Sequence, residues 1–187
     1  VFRLVDDEAL INRLGFNNHG AQNILNRIKR NSKTGILGVN IGPNKDTKNR
    51  LEDYLLGLKT FNELADYITI NISSPNTENL RNFHDQTRLD ELLKEINIEK
   101  RNLNSKIPIV VKIAPDINES EIDIISEVLV NNKVEGIIIS NSSNATRENL
   151  KDIQKHQKGG LSGKPIENKT NLLINKFYKN LKNKIKI

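Results

Sequence analysis

The sequence predicts an α/β fold built from parallel strand–helix–strand units. Three observations lead there. Short apolar runs alternate with amphipathic stretches of helical period along most of the chain. The apolar runs end in hydrogen-bonding residues, which is where α/β folds of parallel strands place their sites. The 187 residues suffice for one domain with a proper core, and no linker or low-complexity tract divides them.

Taken in order, residues 18–30 read as a helix with Ile24, Leu25 and Ile28 on one face. Residues 35–41 form a strand ended by a Gly-Pro-Asn turn. Residues 50–64 form a helix that buries Leu51, Leu55, Leu58 and Phe61. Residues 67–72 are a strand, 88–99 a helix, and 107–113 a strand that Pro115 ends. Residues 119–131 form a helix with a stripe of Ile122, Ile125, Val128 and Leu129, and acids at its start suit the helix dipole. Residues 136–140 are a strand, 158–164 a glycine-rich loop, 169–181 a helix, and 185–187 the opening of a further strand. Right-handed crossovers between such strands leave two global solutions, a partial (β/α)8 barrel or an open doubly wound sheet.

Composition narrows the function. Apolar residues make up 36% and charged residues 28%, with a mean hydropathy of −0.54. No apolar run reaches the roughly 18 residues that span a bilayer, and Val1-Phe2-Arg3-Leu4 leads into acids rather than a signal peptide. Zero cysteines exclude disulfides and thiolate metal sites. The net charge of +6 invites a nucleic-acid partner, but the lysines are scattered beside acids, and only residues 176–186 are densely basic. No nucleic-acid partner is expected. His19, His84 and His156 share no ligand spacing, so no metal is expected, and surface or loop positions are expected for them. There is no G-x-S-x-G elbow, and Gly159 to Lys164 lacks P-loop spacing.

The strand ends carry the chemistry. They hold Asn40; Asn71 with Ser73 and Ser74; Lys112; and Ser140 with Asn141 and Ser142. Amides offer both a donor and an acceptor, which suits a flat heterocycle bearing carbonyl and N–H groups, such as a flavin or a pyrimidine. A lone lysine among them can stabilise an anionic ring or a developing negative charge. One such strand end reads as an ordinary cap; four in succession read as a site. Asn12 and Arg13, before the first helix, are placed to meet an acidic ligand or to solvate a loop.

Asn12 to Asn18, Gly38 to Gly42, Asn71 to Thr77, Leu80-Arg81, Val111 to Asp116, Ser140-Asn141 and Gly159 to Gly163 occur in this order. Together they closely resemble the class 2, quinone-dependent dihydroorotate dehydrogenases, over essentially the whole chain. Class 1 enzymes place a cysteine where this chain has Ser74. The resemblance implies a (β/α)8 TIM barrel, of which this chain supplies about the middle half. It implies oxidation of dihydroorotate to orotate with FMN and a quinone, in pyrimidine biosynthesis. It further implies that Ser74 is the base taking the C5 proton while a hydride leaves C6 for flavin N5, and that Thr77 and Phe16 shape the proton path and close the site. Asn40, Asn71, Lys112, Ser140 and Gly163 match FMN-binding positions. Asn12, Arg13, Leu14, Gly15, Phe16, Asn71, Asn76, Asn141 and Ser142 match orotate-binding positions.

Ser140 and Ser142 stand where the family often has Thr, which keeps the hydroxyls. Pro43 stands where Lys or Ala is common. The resemblance also implies an N-terminal segment for membrane and quinone, and C-terminal strands whose loops hold the FMN phosphate. Neither is expected within residues 1–187, so these residues are expected to be the central part of a single barrel domain. By the same resemblance, the protein is peripheral to the inner membrane, on the cytoplasmic face if bacterial. The isolated 187 residues are then expected to be inactive, and the alternative is a flavin- or nucleotide-binding α/β fragment without independent activity.

Overall fold

The computed structural model describes residues 1–32, 34–44, 47–74, 84–144 and 147–187. In chain order the elements are β1 (Phe2–Leu4), β2 (Ala9–Asn12), α1 (Ala21–Arg30), β3 (Gly38–Ile41), α2 (Arg50–Phe61), β4 (Tyr67–Asn71), α3 (Gln86–Asn102), β5 (Ile109–Ile113), α4 (Glu119–Asn131), β6 (Gly136–Ile139), β7 (Gly160–Gly163) and α5 (Glu167–Leu181). Asn76, Thr77, Leu80 and Arg81 lie outside the described residues.

The alternation read from the sequence becomes a parallel sheet of order β3-β4-β5-β6. Its two faces follow from the pleat. Ile109, Val111 and Ile113 of β5 are 2%, 0% and 0% exposed and belong to the main core, whereas Val110 and Lys112 are only half-buried. The core face also takes Ile68 and Ile70 of β4 and Ile137 of β6, covered by Leu58, Phe61, Leu93, Ile96, Ile125, Leu129 and Phe177 from the helices. Successive helices α2, α3, α4 and α5 pack side by side. Local chemistry sets their starts. Asn118 and Glu121 form a reciprocal capping box on α4, and the Asp85 carboxylate accepts from Arg88 N on α3.

Most boundaries shift by a few residues from the sequence reading. The first helix starts at Ala21 rather than Asn18 because the Asn18 side chain closes a turn: Nδ2 donates to Phe16 O at 2.6 Å, and Oδ1 accepts from Gly20 N at 2.7 Å. The strand expected at 185–187 is present as a parallel bridge between Gly136 and Lys186, with Ile137 N donating to Lys186 O at 2.9 Å. At the opposite edge, β3 and α1 border a cavity of about 660 Å³ that includes Ile24, Ile28, Leu37 and Val39 in its lining.

Two expectations are corrected. Residues 158–164 are not simply a glycine-rich loop, since Gly160–Gly163 form β7. This strand pairs antiparallel with β2, which pairs with β1, giving a three-stranded sheet of order β1-β2-β7. The Gly-Leu-Ser-Gly composition of β7 is equally that of a turn, and its partner β2 lies far along the chain. Gly163 has φ +105, and a Cβ there would lie 2.4 Å from Glu8 O, so the approach of β2 demands glycine. Second, of the surface or loop position expected for His84, the surface alternative is excluded: it lies before α3 and is buried, at 5% exposure.

Candidate functional site

The register decides which strand-end side chains share a face. Asn71 pairs with Lys112, Lys112 with Ile138, and Asn40 with Thr69, two residues before Asn71. Side chains alternate along a strand, so Asn40, Thr69, Asn71 and Lys112 all lie on the face opposite the helices. Ser140 follows directly on the last residue of β6.

Hydrogen bonds then tie neighbouring tips together. The Tyr54 hydroxyl, fully buried on α2, donates to Asn71 O at 2.8 Å. Burial pushes the Tyr54 hydroxyl's pKa up, so it remains a neutral donor. Asn71 Oδ1 accepts from Ser73 N at 3.1 Å and from Ser73 Oγ at 2.6 Å. Ser73 Oγ in turn accepts from Asn141 Nδ2 at 2.7 Å, and Asn141 Oδ1 accepts from Ser142 N at 2.8 Å. The chain of contacts runs from β4 to the segment after β6, spanning β5. Ser140 Oγ donates to Asn141 O at 3.3 Å. Ser74 is 6% exposed at the end of this arrangement. Lys112 is half-buried, and burial lowers its pKa from the ordinary lysine value.

The N-terminal candidates divide. Phe16 packs against the main core, and a Cβ on Gly42 would meet its ring at 3.2 Å and Asn71 O at 3.7 Å. The Phe16 ring therefore lies against the tip of β3, close to the Asn71 backbone. Asn12 and Arg13 make contacts in the small sheet instead. Asn12 pairs with Gly160, while the Arg13 guanidinium stacks 4.8 Å from the Phe2 ring centroid and donates to Gln157 Oε1 at 3.4 Å. Leu14 is 53% exposed, and Gly15 turns the chain at φ +66. Gly163 lies in β7, opposite Ala9. Asn76 lies outside the described residues.

Sequence reasoning passed over two side chains that organise this region. Tyr54 stands at helical spacing between Leu51 and Leu58, so its burial was legible although its hydroxyl's target was not. Asp116 fell within a quoted motif without a role. Its carboxylate accepts from Ser143 Oγ at 2.5 Å and Lys169 Nζ at 2.7 Å on Oδ1, and from Asn144 N at 2.8 Å on Oδ2. Burial alone would raise its pKa; the bonds from Lys169, Ser143 and Asn144 overcome that and hold it at about 2. Among the described residues, no group of three or more His, Asp or Glu could hold a metal ion.

Comparison with known proteins gives the family and the fold. The family model described as dihydroorotate dehydrogenase matches residues 1–187. The chain belongs to the dihydroorotate dehydrogenase family. A relative from Idiomarina loihiensis, named dihydroorotate dehydrogenase (quinone), is 41% identical over all of this chain and 58% of its own length. The mitochondrial enzyme of that name from Cyclocybe aegerita is 45% identical over 93% of this chain and 55% of its own. A crystal structure from Eimeria tenella, titled as DHODH in complex with ferulenol, superposes with a TM-score of 0.92 at 32% identity. It covers 98% of this chain and 56% of its own. The chain thus spans a little over half the length of the relatives it matches. The likeness decides between the two folds left open by the sequence: the parallel sheet and its helices are part of an α/β barrel of the dihydroorotate dehydrogenase type.

Proposed function

We propose that the protein oxidises dihydroorotate to orotate, with FMN as its cofactor and a quinone as acceptor, in pyrimidine biosynthesis. The observation that carries the reading is the shared face of Asn40, Asn71 and Lys112, joined through Ser73 to Asn141 and Ser142. Family membership supplies the reaction that this face would serve. Residues 1–187 are then the central part of one barrel domain. Quinone and membrane contact, peripheral to the inner membrane, belong to a segment outside them, as do the strands that hold the FMN phosphate. Among the described residues, no helix is long and apolar enough to cross a membrane.

The donor set fits a flavin ring. Asn40, Asn71 and Ser140 offer amide and hydroxyl groups to carbonyl and N–H edges. Lys112 suits the pyrimidine edge, because an anionic ring beside it would restore the charged form that burial disfavours. Gly163 is assigned to the cofactor by resemblance. When bound, FMN would accept the electron pair leaving dihydroorotate and pass it to the quinone. Asn141 and Ser142, with Asn71 and Asn76, hold the substrate's polar edges. Asn12, Leu14, Gly15 and Phe16 are assigned to the rest of its pocket by resemblance, as is Arg13, whose guanidinium is here turned to Phe2 and Gln157. Ser74 takes the C5 proton, and its burial excludes bulk water from that step. A serine acts as a base only with help, which the Thr77 segment supplies in this reading.

Replacing Ser74 by Ala in the intact flavoprotein tests the assignment. Dihydroorotate oxidation is expected to fall about 10²–10⁴-fold with FMN still bound. Turnover within a few-fold of normal would reject Ser74 as the base. Failure of dihydroorotate to bleach the flavin band of the unmodified protein would reject the reaction itself.

A further inference from the structure

The segment 141–144 is held from three directions. Asn141 Nδ2 reaches Ser73 at the tip of β4. Ser143 exchanges two backbone hydrogen bonds of 2.8 Å with Leu161 of β7. Ser143 Oγ and Asn144 N both donate to the Asp116 carboxylate, which follows β5. Ser143 is fully buried, and Asp116 is tied from the other side by Lys169 on α5.

We propose that Asp116 is a positioning residue for substrate binding, which fixes the Asn141–Ser142 segment by gripping Ser143 and Asn144. This rests on the reading of Asn141 and Ser142 as substrate-binding residues. The physical case is directional. One carboxylate binds two consecutive residues through different oxygens, which fixes both the position of the segment and its rotation. Lys169 Nζ shares Oδ1 with Ser143 Oγ, so the ion pair keeps the carboxylate in its accepting form. Asp116 touches no reacting atom in this scheme; it acts through Asn141 and Ser142.

The test compares Asp116→Asn and Ser143→Ala with Asp123→Asn in the intact flavoprotein. Asp123 on α4 accepts from Asn180 on α5 at 2.7 Å, so its substitution weakens another polar contact to α5, away from the segment. Orotate binding is read from the flavin absorbance shift, and KM and kcat from dihydroorotate oxidation. Asp116→Asn and Ser143→Ala are expected to raise the orotate Kd and the dihydroorotate KM about ten- to hundredfold. Flavin content and kcat should change little, and Ser143→Thr should restore binding. Asp123→Asn should leave Kd and KM unchanged. A purely structural role would lower the melting temperature without separating KM from kcat, and that result overturns the proposal. Should Asp116→Asn fail to fold, Ser143→Ala decides alone. Should the unmodified protein ignore dihydroorotate and orotate, the substrate reading fails by itself. Amide exchange at residues 141–144 then reads the positioning directly, and an unchanged rate in Asp116→Asn overturns it.

Discussion

The two sheets solve the same problem by different means. The parallel sheet has helices across one face and a broad core in which Ile68, Ile70, Val111, Ile113 and Ile125 are fully buried. The small antiparallel sheet buries a cluster of Leu4, Ala9, Ile11, Leu150 and Leu161. It adds long-range polar ties instead. The Asp7 carboxylate accepts from Lys151 N at 2.9 Å and Asp152 N at 3.0 Å, and Gln154 Nε2 donates to Arg3 O at 3.1 Å. Arg147 donates to the carbonyls of Lys155, Gln157 and Gly159. Where apolar area is scarce, directed hydrogen bonds fix the geometry; where it is plentiful, burial does so and leaves the far face of the sheet for polar groups.

The sharpest way to break this contrast is Ile70→Ala. Truncating a fully buried side chain between β4 and the helices is expected to cost about 2–5 kcal/mol in denaturant unfolding of the protein. A loss below the equivalent truncation at Leu161 would show that the small sheet, not the large one, carries the stability. Next in size is Arg147→Ala, expected to cost about 1–3 kcal/mol by leaving the three carbonyls without this donor. Its effect should be local: amide exchange should quicken in β2 and β7 and stay unchanged in β4 and β5. Uniform acceleration would show that the two sheets unfold as one unit.

The smallest effect sharpens the junction. Asp116 in the folded protein sits at about 2 against an ordinary 3.8. A depressed value means the folded state binds the proton less readily than the unfolded chain. The contribution is therefore fully present above the ordinary value and fades as pH falls toward the folded one. The gap in melting temperature between the unmodified protein and Asp116→Asn should narrow between about pH 5 and about pH 2. A gap independent of pH would show that the carboxylate's charge plays no part.

The central strands and the five α-helices among the described residues were legible because apolar periodicity is a local property, repeated often enough to survive errors at the ends. Asn40, Asn71 and Lys112 were legible as a group because a polar residue closing an apolar run needs a reason. Phe16 could be tied to the site by resemblance, but its seat beside Gly42 could not. Arg13 shows the opposite case, since its side chain turns to Phe2 of the small sheet and to Gln157 before β7. Gly160 to Gly163 read as a loop because glycine composition is the same in a turn and in a strand that needs close approach.

The sequence by itself determined the order of the central strands and the helices, the polar character of the strand tips and, through motifs in a fixed order, the family to which they belong. Each of those elements and motifs is made of residues near one another in the chain. Only the tertiary structure decided that β7 pairs with β2, that Tyr54 holds the Asn71 carbonyl, and that Asp116 grips Ser143 and Asn144. Those contacts depend on the register and packing of distant segments, and a hydrogen bond fixed to a few tenths of an ångström leaves no periodic trace in the order of the residues.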